Sequence, residues 1–127
     1  PDADEALRTL RARRHAPRTP AQLAAAKVPF AFASAGLGEP RDFIRNAAKA
    51  VAEGLPPDEA LRALTLQAAT IAGASARLGS LEPGKIANVL VTRGDLFDEK
   101  TQITHVFVEG RAVNLDAARP EPARRPQ

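Results

Sequence analysis

Cysteine is absent from these 127 residues. That excludes disulfides, thiolate metal ligation and a cysteine nucleophile, and it leaves the compartment open. Tyrosine and tryptophan are absent too, and five phenylalanines are the only aromatics. With the Phe residues set in apolar runs, nothing is left to stack on bases, so no nucleic-acid partner is expected. No apolar run approaches the roughly 18 residues of a membrane-crossing helix, so no membrane partner is expected either. Histidine is scarce: His15 and His105 lie far apart and form neither His-x-His nor His-x-x-x-His. Neither is expected to ligate a metal. An initiator Met is also missing. The chain opens on Pro1, which suggests a native N-terminus further upstream and makes the lack of a leader uninformative.

What is present fits a soluble globular chain of unknown localisation. The composition is 44% hydrophobic and 26% charged, ordinary for a folded domain. Much of the apolar content is alanine, which buries little area per residue, so a thin core is expected. Lys and Arg number 18 against 15 Asp and Glu, for a net charge of +3. Arg8, Arg11, Arg13, Arg14 and Arg18 lie near the start and Arg119, Arg124 and Arg125 near the end. Between these clusters the charge is close to balanced, and such clusters read as solvated faces.

Residues 2–14 predict a helix, acidic first and basic last, with Leu7 and Leu10 on a narrow apolar stripe. A loop is expected at 15–18, around Pro17. Thr19 reads as an N-cap with Pro20 in the first helical position. Residues 28–33 (VPFAFA) are continuously apolar, the pattern of a strand covered on both faces in a parallel sheet. A Gly-rich loop follows at 34–40. A helix over 41–53 places Phe43, Ile44, Ala47, Ala48 and Val51 on one face, with Gly54 as terminator. Residues 56–64 open another helix, with Leu61 and Leu64 inward. Thr65 caps its continuation over 66–72, which Gly73 closes. The period then changes. Strands are expected at 86–91 and 103–109, with Glu109-Gly110 as a two-residue hairpin turn into residues 111–113. Beyond residue 116 the Pro- and Arg-rich tail predicts disorder. A single buried parallel strand needs neighbours on both edges, so the chain reads as part of something larger.

The stretch from 64 to 113 resembles the C-terminus of the amidohydrolase superfamily, especially its imidazolonepropionase-like members. Those proteins carry a helix reading roughly A-T-x-N-x-A-x-x-L-G. A turn of the form G-S-L/I-E-x-G-K-x-A-D follows, then a strand, a loop and a V-x-x-V-F/W-V-x-G hairpin. Here residues 79–88, GSLEPGKIAN, cover the turn, and 106–111, VFVEGR, cover the hairpin. Residues 28–36, VPFAFASAG, look like the family's eighth barrel strand, and 19–26 like the helix before it. The resemblance spans about residues 19–115. It implies an α/β fold: the last βα unit of a TIM-like amidohydrolase barrel joined to C-terminal strands of a small β-sandwich. On that reading residues 1–73 hold barrel-end helices and one buried strand, 74–115 a C-terminal β region, and 116–127 a disordered tail.

Barrel catalysis sits at the C-terminal ends of strands, which directs attention to residues 34–37. The family's metal-dependent amide hydrolysis uses histidines on earlier strands and an Asp ending strand eight. In this chain Ala35 stands where the resemblance puts that Asp, and alanine neither binds metal nor accepts a proton. Glu39 and Asp42 are the nearest acids; the helix dipole accounts for both. Ser34 lacks a His partner and a G-x-S-x-G setting, so it reads as a strand-end serine bonding local backbone. Gly36 and Gly38 do not make G-x-G-x-x-G, because Arg41 takes the third glycine's place. Lys85 after Gly84 is no P-loop lysine, because Ile86 stands where Ser or Thr is required. Asn88 replaces the family's Asp and keeps its acceptor oxygen.

The expected function is the C-terminal part of an amidohydrolase-like hydrolase acting on carbon–nitrogen bonds other than peptide bonds, catalytically incomplete by itself. No catalytic or metal residue is assigned to this chain, and no cofactor; the resemblance places zinc or a similar divalent ion in the parent. The alternative is a degenerate barrel segment with a structural or binding role. Expected partners are the rest of the parent barrel, or a second copy paired along the edge of 28–33.

Overall fold

The computed structural model describes residues 2–36, 38 and 42–116. The expected tail lies outside the described residues except for Asp116, whose amide donates to Asn114 Oδ1 at 3.0 Å. Helix α1 (Asp2–His15) runs into a 3-10 turn (Ala16–Arg18), and α2 (Thr19–Ala25) follows without a break. The loop expected at 15–18 is therefore helical. Pro17 falls in the first turn of the 3-10 segment, where its missing N–H costs nothing. Thr19 caps nothing. His15, Arg18 and Thr19 all keep right-handed helical torsions, so no free helix start exists there. The Thr19 hydroxyl instead leans back toward the His15 carbonyl at 3.5 Å.

Three helices close with the same device. After α2, the amides of Val28 and Lys27 donate to Leu23 and Ala24 carbonyls at 2.9 and 3.0 Å. After α3 (Asp42–Ala52), those of Leu55 and Gly54 donate to Ala50 and Val51 at 3.0 and 3.1 Å. After α5 (Leu66–Ile71), those of Ala74 and Gly73 donate to Ala69 and Thr70 at 2.7 and 3.1 Å. This pairing is the Schellman motif, which satisfies the last carbonyls with a residue of positive φ just past the helix. Gly54 and Gly73 fill that place as expected, with φ of 108° and 73°; Lys27 fills it with φ 55°. Between α4 (Pro57–Leu64) and α5, Thr65 breaks the helix at φ −124°, ψ −98°. Its hydroxyl donates to the Leu61 carbonyl at 2.7 Å rather than capping α5. Such back-bonding bends helices.

The core sits where α3 turns into α4. Ala47, Ala50, Leu55, Ala60 and Ala63 are buried. Phe30, Phe32, Val51 and Phe97 pack partly buried around Ala50, Leu55 and Ala60. The thin core expected from the alanine content is what forms. Leu61, expected inward, is 46% exposed, because Ala60 and Ala63 carry the packed face of α4.

Residues 28–33 form no strand. They have no ladder partner, Val28 is exposed, and Phe30, Ala31 and Phe32 are half-buried. A strand exists by pairing, and no described segment lies alongside to pair with this one. Phe30 and Phe32 meet edge to face, with centroids 5.8 Å apart.

The sheet is antiparallel in the order β1 (Val89–Arg93), β2 (Gln102–Val108), β3 (Arg111–Ala112). β1 starts three residues later than expected, because the Asn88 side chain and Ala87 carbonyl are engaged elsewhere. Asn88 Oδ1 accepts the Glu109 amide at 2.8 Å, and the Ala87 carbonyl accepts that of Gly110 at 2.9 Å. Together they hold the β2–β3 turn. Glu109 and Gly110 have φ of 51° and 79°, the type I′ geometry of two-residue hairpins. Val91 pairs with His105 and Thr92 with Ile103. Thr104 is therefore an extra residue, and this bulge flips the facing of β2 partway along. Among the described residues no helix is long and apolar enough to cross a membrane.

Candidate functional site

Two places invite chemistry: the end of the 28–33 segment, and the space between the helices and the sheet. At the first, Ser34 is exposed just before a turn formed by Ala35, also exposed, and Gly36, which takes φ 81°. Asp42 opens α3 and pairs with Arg45 at 3.3 Å, a local i,i+3 contact at a helix start. Glu39 lies outside the described residues. His15 is exposed at the end of α1. His105 is exposed on β2, its ring parallel to Phe107 at 6.2 Å and its Nδ1 3.1 Å from Thr104 Oγ1. Among the described residues no group of three or more His, Cys, Asp or Glu is placed to hold a metal.

The second place is a groove of about 1250 Å³ between α4–α5 and the β region. Leu61, Leu64, Ile86, Leu90 and Phe97 contribute apolar walls, and Asp58 and Asp95 lie among its polar lining. Its lip is the turn at 79–85. Gly79 packs so closely on α5 that no side chain fits there. A Cβ would lie 2.8 Å from Ala69 Cβ and 2.9 Å from Leu66 Cα.

In that turn three side chains converge that the sequence reading left apart. Lys85 Nζ donates to Ser80 Oγ at 2.6 Å and pairs with Glu82 at 2.7 Å. Ser80 in turn donates to Glu82 at 2.6 Å. The sequence signal was G-S-x-E-x-G-K, whose two glycines let a tight turn fold the three side chains onto one side. The Ser–Lys contact has the look of a nucleophile and its base. The ion pair argues otherwise: an ammonium held by a carboxylate has no lone pair with which to take the serine proton. The triangle is a clamp on the turn. The Lys85 side chain is 13% exposed, so Glu82 and Ser80 satisfy a charge that is largely withdrawn from water.

The clamp gives the turn a pH dependence. Hydrogen bonds from Lys85 and Ser80, then the Lys85 charge, hold the Glu82 carboxyl below its ordinary value of 4.5. A depressed carboxylate contributes stability above its unfolded value and loses it as pH falls through the folded one. Glu82→Gln should therefore flatten the acid limb of the stability curve below about pH 4.5. Because Glu82 is well exposed, the effect near neutrality should be small. Urea denaturation at a series of pH values reads this out; parallel acid limbs for both proteins would mean that the clamp does not form.

The profile of the amidohydrolase family matches residues 6–113, most of the chain. The chain is also similar to the crystal structure of an amidohydrolase from Thermotoga maritima MSB8, with 33% identity and a TM-score of 0.70. That likeness covers 77% of this chain and 26% of the other, so the chain spans about a quarter of that protein's length. Among curated proteins none matches significantly. Helices α2 to α5, the antiparallel hairpin and the G-S-L-E-P-G-K turn lie within the matched region. The chain therefore belongs to the amidohydrolase family.

Proposed function

We propose that these residues form the C-terminal part of a hydrolase acting on carbon–nitrogen bonds other than peptide bonds, with its catalytic centre outside them. The family match over residues 6–113 carries this reading. Within it, 28–36 is the last barrel strand and its loop, α3 to α5 are barrel-end helices, and β1 to β3 are return strands of a small sandwich. Residues up to 73 and from 74 on then fall into two parts. The half-buried Phe30 and Phe32 and the missing ladder partners along 28–33 fit a strand whose neighbours belong to the rest of a barrel.

The family's chemistry calls for a metal, and the residues here do not fit one. Ala35 stands at the strand-eight acid, and His15 and His105 lie on separate elements. A specific observation favours the second reading as well: without the acid at 35, the barrel is a fold that has kept its shape and shed its chemistry.

The 127-residue chain should hydrolyse no cyclic amide above background, with or without added zinc. Metal-dependent turnover by it would overturn the assignment of the centre elsewhere. Between the two readings, elemental mass spectrometry decides, on any longer protein that carries this segment, purified without chelator. Bound zinc supports the hydrolase. No metal after reconstitution supports the degenerate barrel.

A further inference from the structure

We draw no further inference here: the strongest candidate, the apolar groove between α4–α5 and the β region, is an unpartnered face of a chain that spans about a quarter of its relative's length, and nothing in the structure shows what covers it.

Discussion

Gly79→Ala should destabilise the chain by about 2–5 kcal/mol, from two separate causes. The first is conformational. Gly79 has φ 97°, where a side chain costs roughly 1–2 kcal/mol. The second is steric. A new Cβ would lie 2.8 Å from Ala69 Cβ, 2.9 Å from Leu66 Cα and 3.1 Å from the Thr65 carbonyl oxygen. Two of these are backbone atoms of the α4–α5 junction and cannot swing aside, so the turn or the helix must shift. Overpacking of this kind costs roughly 1–3 kcal/mol. Gly84→Ala separates the causes. Gly84 has φ 89° with nothing within 4 Å of its would-be Cβ, so it carries the conformational cost alone. Urea denaturation of the two variants should place Gly79→Ala well below Gly84→Ala. Equal losses would mean that the turn does not lie against α5.

The same turn shows what the sequence could and could not convey. Its glycines, and those after α3 and α5, announce themselves because positive φ is cheap only for glycine. Lys27 does the same job after α2 and stayed hidden, since a lysine gives no sign that its backbone is left-handed. The hairpin turn at Glu109-Gly110 was readable from the flanking apolar alternation. The bulge at Thr104 was not, because one extra residue changes register without changing composition. Thr19 and Thr65 carry a capping signal that the fold declines. A threonine caps only if a helix begins beside it, and whether one begins is decided by the preceding residues.

Residues 28–33 show a different limit. Their apolar run is a statement about neighbours, and it reads as a two-sided strand. Among the described residues no strand lies beside it, so the run is unpaired, with Phe30 and Phe32 against α3 and α4. The sequence carries the pattern of an assembly that the described residues do not complete. The site has the same character. Ala35 is read as an absence only through the resemblance to the family's pattern. The Ser80–Glu82–Lys85 clamp was not legible, since its members serve the turn and match no catalytic motif. Motif reading finds residues arranged for chemistry more readily than residues arranged to hold a lip in place.

Leu55→Ala should remove cooperative folding itself. Leu55 is 1% exposed and, among the described residues, the one large side chain that is fully buried. It follows the helix-ending Gly54, and its amide closes on the Ala50 carbonyl at 3.0 Å. That hydrogen bond and the Leu55–Ala50 contact are two parts of one Schellman motif. Against the cluster that it forms with Ala50 of α3 and Ala60 of α4 pack Ala21 and Ala24 of α2, the Phe30–Phe32 pair, Val51 of α3 and Phe97 of the β1–β2 loop. A cavity there therefore loosens α2, α3, α4 and the segment at 28–33 at once. Leu→Ala substitutions at buried sites cost about 2–5 kcal/mol, and the buried neighbours Ala50 and Ala60 are too short to move into the gap. Whole domains are stable by only about 5–15 kcal/mol, and an alanine-built core belongs at the low end. The expected outcome is loss of cooperative melting, with helical circular dichroism partly retained and fixed packing gone. Leu55→Met, which conserves volume, should cost less than about 1.5 kcal/mol and keep the transition sharp. Leu61→Ala, at a side chain 46% exposed, should cost less than Leu55→Ala by a clear margin. If Leu61→Ala proves as damaging, the centre of the fold lies at the groove and not at the α3–α4 turn.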